Sequence, residues 1–181
     1  MNKDIERVLV SEDDLQRRVR ELGNQITKDY EGKNLLLISV LKGAVVFMSD
    51  LMRAIELPFN IDFMVVSSYG KGTESHGDVK ILKDLDTEIK GKDVLIVEDI
   101  IDSGYTLSRL IALLKMREPN SIKICTMLDK PSRRYEGITL KGDYTGFEVP
   151  DEFVVGYGLD YAENYRGLPF VGVLKPEVFN K

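Results

Sequence analysis

Val94-Leu-Ile-Val-Glu98-Asp99-Ile-Ile-Asp102-Ser103-Gly104-Tyr105-Thr106-Leu107 joins a strand, a polar turn and the start of a helix in one short stretch. The continuous apolar run 94–97 is the pattern of a strand covered on both faces. It delivers two adjacent carboxylates, Glu98 and Asp99, to its end. After two apolar residues comes the loop Asp102-Ser103-Gly104-Tyr105-Thr106, which leads into a helix predicted over 106–116. Such a loop turns backbone N–H groups and hydroxyls toward one spot at the positive end of a helix, an arrangement that holds a phosphate monoester. Carboxylates beside that phosphate suit ribose hydroxyls or Mg²⁺, so the two halves together fit a sugar phosphate. Ser103 or Thr106 alone would read as a helix cap; the whole pattern is more than capping requires. It is neither Gly-x-x-x-x-Gly-Lys nor Gly-x-Gly-x-x-Gly.

The same strand–turn–helix cycle recurs on either side. A strand predicted over 35–40 breaks at Lys42-Gly43 into a helix over 44–55, and further strands are predicted over 61–67 and 122–128. Upstream, Ser11 and Asp14 form a capping-box pattern, and Leu15, Val19, Leu22, Ile26 and Tyr30 follow at helical spacing as far as Gly32. Alternating strands and helices predict the α/β class: a parallel twisted sheet flanked by helices, with ligands beyond the carboxyl ends of the strands. Those ends are 41–43, 67–77, 98–106 and 129–133. Residues 69–78 carry Gly70, Gly72 and Gly77 in a polar run, a pattern shared by mobile lids and ordinary hairpin loops. His76, within it, reads as a solvated loop residue. After Leu128 the alternation gives way to shorter aromatic and glycine-rich pieces. The expected organisation is a single domain over 1–181, with a core of about 35–145 and a small hood from about 1–34 and 146–181.

Composition sets the outer bounds. A chain of 181 residues with 43% hydrophobic and 30% charged residues is long and apolar enough to fold around one core. Its 25 basic and 30 acidic residues leave a net charge of −5, which opposes general binding to nucleic acid or to an anionic membrane. Cys125 is the only cysteine and has apolar neighbours, so it reads as an inert buried thiol in a reducing compartment. No apolar run approaches the ~18 residues of a membrane span, and the first residues carry no signal-peptide core. The expected location is cytoplasmic.

The 94–107 stretch resembles the 5-phosphoribosyl-1-pyrophosphate (PRPP) signature of the type I phosphoribosyltransferases, in the version carried by the hypoxanthine-guanine branch. The resemblance extends in order from about residue 35 to 174. Leu41-Lys42-Gly43 resembles the family's pyrophosphate loop, Ser68-Tyr69 opens what resembles its lid, and Lys130 matches its purine-contacting lysine. Gly146-Phe-Glu-Val-Pro-Asp-x-Phe153-Val-Val-Gly-Tyr157-x-Leu-Asp160-Tyr-x-x-x-x-Arg166 is similar to its base-binding region. Tyr105 departs from the pattern, since relatives often carry Lys there.

The resemblance implies transfer of the 5-phosphoribosyl group from PRPP to N9 of a 6-oxopurine, hypoxanthine and with it guanine, with release of pyrophosphate. It assigns Asp102 as general base on purine N7. Glu98, Asp99, Asp102, Ser103, Gly104, Tyr105 and Thr106 would bind the phosphoribosyl group, and Lys42, Gly43 and Arg166 the pyrophosphate, with Lys42 and Arg166 at the two ends of the site. Lys130 would donate to O6, Phe153 would stack, and backbone groups of Val154 would read the N1 edge. Mg²⁺ is the implied cofactor, with Glu98, Asp99 and Asp160 as its carboxylates and Asp160 near the purine. The family also implies a homodimer or homotetramer, and a Leu41–Lys42 peptide that can be cis. A phosphoribosyltransferase for xanthine or another base is the nearest rival reading. A PRPP-sensing regulator that binds nucleic acid is the rival from another class. The acidic balance and the intact 153–166 region weigh against that regulator.

Overall fold

The computed structural model describes residues 3–68 and 79–180. Its elements run β1 (Ile5–Val10), α1 (Glu12–Asp29), β2 (Leu35–Leu41), α2 (Val45–Ala54), β3 (Asn60–Ser68), β4 (Val79–Lys83), β5 (Asp93–Ile101), α3 (Tyr105–Lys115), β6 (Ser121–Asp129), β7 (Tyr144–Glu148), β8 (Val154–Val155), β9 (Val171–Leu174) and α4 (Pro176–Phe179). Six strands form the central sheet in the order β4-β3-β2-β5-β6-β7. All neighbours are parallel except the edge strand β4, which runs antiparallel to β3. The predicted parallel α/β sheet is therefore present.

β2 and β5 are central because their side chains are apolar on both faces, and Leu35 to Ile38 and Val94 to Val97 are all buried. From this pair the chain winds outward in opposite directions, β2 through α2 to β3 and β5 through α3 to β6. Right-handed crossovers in opposite directions put their helices on opposite faces of the sheet. Phe47, Met48 and Leu51 of α2 accordingly pack with Leu37, Leu95 and Val97, whereas Leu107, Leu110 and Leu114 of α3 pack with Ile38, Val94 and Ile96. Fully burying each such side chain stabilises by about 1.5–3 kcal/mol.

Ser11 caps α1 by accepting from the Asp14 N–H at 3.2 Å, and Leu15, Val19, Leu22 and Ile26 form its buried stripe. That stripe joins the α2 face of the sheet, so α1 belongs to the core layers and not to the hood expected for 1–34. Only β1 joins the hood at this end, and its Val10 still packs into the same core. It pairs antiparallel with β9, which also pairs with β8, to make a three-stranded hood sheet. β1, β4, β7, β8 and β9 are strands that the sequence pattern does not predict. β7 extends the central sheet to Glu148, slightly past the expected boundary at 145. Cys125 is buried, and burial pushes its thiol pKa up. Among the described residues no helix is long and apolar enough to cross a membrane. The segment 69–78, with the expected lid residue Tyr69 and with His76, lies outside the described residues.

The close approach of α1 to α2 depends on Gly23, where a Cβ would overlap the carbonyl of Ala54. At an ordinary helix site Gly→Ala gains up to about 1 kcal/mol. Here overpacking should dominate, and Gly23→Ala should destabilise by ~1–3 kcal/mol. At roughly 2–4 °C per kcal/mol for a chain of this size, thermal denaturation should show a lower Tm; a higher one would contradict this packing.

Candidate active site

The site begins where two central strands part. β2 and β5 pair only as far as Ser39 and Val97. β2 then continues beside β3 to Leu41 opposite Val65, and β5 continues beside β6 to Ile101 opposite Asp129. The strand thus runs past the expected end at Val97, and Glu98 and Asp99 lie within it, on the lip of the opening. Adjacent residues of a strand point to opposite faces. Glu98 lines a cavity of about 210 Å³ with Ser103, Gly104 and Thr106. Asp99 turns toward the β2 loop, where a Cβ on Gly43 would overlap its carboxylate.

Both carboxylates are half-buried. Burial, reinforced by the neighbouring Asp99 charge, raises the Glu98 pKa well above the usual range, and burial pushes Asp99 up to about 6. No group of three or more His, Cys, Asp or Glu side chains gathers into a metal cage among the described residues.

The predicted turn from strand to helix is present between β5 and α3. Gly104 has φ of 73°, in the left-handed region, and is the N-cap of α3. The Ser103 hydroxyl accepts from the Tyr105 N–H at 3.3 Å. Thr106 and Glu98 face the same cavity.

A second cavity, of about 420 Å³, opens on the other side of Asp102 and is lined by Lys130, Arg133, Phe153, Val154 and Phe179 among others. Ile100 and Asp102 line both cavities. Lys130 is 7% exposed and donates from Nζ to the Glu152 carbonyl at 2.6 Å. Phe153 stacks on Phe179 with ring centroids 4.8 Å apart and meets Tyr161 edge to face. The Leu174 N–H bonds the Phe153 carbonyl, and Val154 faces Val173 in the antiparallel β8–β9 ladder. In such a ladder bonded and non-bonded pairs alternate, so the Val154 N–H and carbonyl point away from β9, to the open edge of β8.

Asp160 does not line this cavity as expected. Its carboxylate pairs with Arg166 at 2.9 Å, and the Arg166 and Asp160 charges both act on Asp99. Arg166 also donates to the Gly158 carbonyl at 2.8 Å, and a Cβ on Gly158 would overlap the Gly43 carbonyl. The hood is thus stacked on the β2 loop, where the Leu41–Lys42 peptide is cis. Lys42 and Arg166 are not at two ends of the site. Glu163 lies between them, 2.9 Å from Lys42 Nζ and 3.4 Å from Arg166 Nη2.

Two arginines that the sequence reading passed over connect these parts. Arg133 Nε lies 3.4 Å from the Asp102 carboxylate and 3.6 Å from Asp151. Arg134 is nearly buried and pairs with Asp129. Its guanidinium also donates to the carbonyls of Ile101 at 2.8 Å, Asp102 at 2.6 Å, Lys130 at 3.2 Å and Leu140 at 2.9 Å. One planar cation therefore fixes the phosphate-type loop relative to Lys130. The only sequence signal was the Arg doublet after the Lys130-Pro131 break, which also fits a solvated surface.

A family model described as phosphoribosyl transferase domain matches residues 11–162, and the mostly parallel sheet with its hood fits that phosphoribosyltransferase class. The chain is 58% identical to the hypoxanthine-guanine phosphoribosyltransferase of Bacillus subtilis, over 99% of this chain and 98% of that one. A crystal structure of a hypoxanthine phosphoribosyltransferase from Staphylococcus aureus superposes with a TM-score of 0.94 at 52% identity, covering 100% of both chains. The chain belongs to the hypoxanthine-guanine phosphoribosyltransferase family. It also matches the bifunctional protein TilS/HprT of Listeria innocua, 56% identical, of which it spans 28% of the length.

The raised carboxylates give the site a pH signature. The unfolded chain ionises Asp near pH 3.8, whereas folded Asp99 keeps its proton to about pH 6. The native state binds the extra proton between these values, so stability should fall as pH rises through that window. Asp99→Asn should therefore stabilise the metal-free protein at pH 8 by an amount on the order of 1–3 kcal/mol, seen as a higher Tm, and change its Tm little at pH 4. An unchanged or lower Tm at pH 8 in circular-dichroism melts would contradict this.

Proposed function

We propose that this chain transfers the 5-phosphoribosyl group of PRPP to N9 of hypoxanthine and guanine, giving the purine nucleotide and pyrophosphate. The observation that carries this reading is the position of Asp102, which borders both the cavity of the phosphate-type loop and the cavity of Lys130 and Phe153. The hypoxanthine-guanine and hypoxanthine phosphoribosyltransferases that the chain resembles agree with it.

In this reading the 5′-phosphate is held by the Ser103 to Thr106 loop, the ribose by Glu98 and Asp99, and the purine by Lys130, Phe153 and the Val154 edge. As N9 attacks C1′, the C1′–N9 bond forms and the C1′–O bond to pyrophosphate breaks. The proton on N7 passes to the Asp102 carboxylate. Lys42 and Arg166 stabilise the departing pyrophosphate. Lys130 donates to O6, and the amino group of adenine offers it no acceptor, so adenine should be rejected. We also propose the segment opening at Ser68-Tyr69 as the lid that keeps water from the activated sugar.

Mg²⁺ is the proposed cofactor. Two half-buried carboxylates with raised pKa values gain from a divalent cation, and so small a protein donor set suits Mg²⁺, which takes most of its ligands from water and phosphates. Glu98, Asp99 and Asp160 do not gather into a cage, so they would hold it singly or through its water ligands, and when bound it would neutralise charge on the pyrophosphate. Cytoplasmic action as a homodimer or homotetramer is part of the same proposal.

Purified protein given PRPP and Mg²⁺ and offered hypoxanthine, guanine, xanthine, adenine and uracil in parallel should release pyrophosphate with hypoxanthine and guanine and not with adenine or uracil. Turnover of none of these bases would favour the PRPP-sensing regulator instead. Asp102→Asn should lower kcat by ~10²–10⁴-fold and leave the Kd for PRPP nearly unchanged. Near-normal turnover by the variant would remove Asp102 as the base.

A further inference from the structure

Lys42 lies at the end of β2 and Arg166 in the loop after β8, yet one side chain holds both. Glu163 Oε2 accepts from Lys42 Nζ at 2.9 Å, and its Oε1 lies 3.4 Å from Arg166 Nη2. The local backbone is shaped to place it there. Ala162, Glu163 and Tyr165 have φ of 49°, 63° and 76°, in the left-handed region that non-glycine residues rarely adopt. A Tyr161–Asn164 bridge closes the turn, and the Glu163 N–H donates to Asp160 Oδ2 at 2.8 Å. The Lys42 and Glu163 side chains are 67% and 66% exposed. An ion pair so exposed adds little to folding and is easily opened.

We propose that Glu163 is a built-in counter-anion for the pyrophosphate cations, holding Lys42 and Arg166 together until the pyrophosphate arm of PRPP displaces it. This rests on the proposed PRPP chemistry. A carboxylate with one charge loses to a diphosphate with three or four, so the contact does not block the site. It lowers the affinity for both PRPP and pyrophosphate by the free energy of opening it. After transfer, the returning carboxylate competes with pyrophosphate for the same cations and favours its release. A residue that only shaped the turn would have neither effect.

The test is calorimetric titration of wild type, Glu163→Gln and Glu163→Asn with magnesium pyrophosphate. Gln keeps the size of the side chain without its charge; Asn tolerates positive φ and is one methylene shorter. Both variants should bind pyrophosphate more tightly, by roughly 2- to 30-fold if each of the two released contacts is worth what exposed ion pairs usually are. Glu31→Gln, the same charge change on an exposed glutamate outside the site, should leave the Kd within about 1.5-fold on the same surface-charge argument. Equal or weaker binding by both Glu163 variants, with clear binding by wild type, overturns the counter-anion and leaves the PRPP reading intact. An equal gain in Glu31→Gln also overturns it, as a general charge effect. Failure of wild type to bind magnesium pyrophosphate would instead remove the PRPP reading, and the counter-anion with it.

Discussion

β5 stays bonded to β6 as far as Ile101 but leaves β2 after Val97, and the candidate site occupies the opening. The divergence follows from topology, because the chain winds outward in opposite directions from the β2–β5 pair and no connection covers the carboxyl ends of those two strands. Asp99 fills one side of the opening against Gly43, and Gly158 of the hood rests on the Gly43 carbonyl. A side chain at either glycine would push these layers apart. Beyond Ile101, the β5 strand ends in the loop that places Asp102 between the two cavities.

Charge is arranged with equal economy. The proposed anionic sugar substrate would need a local positive field in an acidic protein, and the backbone N–H groups at the start of α3 with Lys42, Lys130, Arg133, Arg134 and Arg166 would supply it. Each of these cations already has an oxygen partner in the protein: Glu163 for Lys42, the Glu152 carbonyl for Lys130, Asp102 and Asp151 for Arg133, Asp129 and four carbonyls for Arg134, and Asp160, Glu163 and Gly158 for Arg166. Arg134 differs from the others in being nearly buried, which suits a residue that fixes geometry. The exposed Lys42 contact is the kind a ligand can replace.

Much of this was legible in the sequence because it follows from short-range pattern. The apolar runs of β2 and β5, the Ser11 cap of α1 and the Asp-Ser-Gly-x-Thr loop are local features, and each formed close to where it was read. The elements that escaped depend on distant partners. β1 reads as a charged segment and becomes a strand by pairing with β9, with register shifts that blur its alternation. β4 is a five-residue edge strand supported by β3. The placement of α1 in the core required knowing that its stripe meets α2 and the sheet. In the site, the meeting of Lys42 with Arg166 at Glu163 joins residues 121 positions apart on one side, and Phe179 reaches Phe153 from the last helix. Local spacing carries no record of such contacts.

In the proposed function Asp102 stands between a phosphoribosyl site and a purine site. A crystal structure of the protein with IMP bound tests it most directly. The 5′-phosphate should lie on the Ser103 to Thr106 loop, the hypoxanthine ring between Lys130 and Phe153, and N7 within about 3 Å of the Asp102 carboxylate. A base bound outside the Lys130–Phe153 cavity, or an Asp102 carboxylate turned away from the ring, would contradict it.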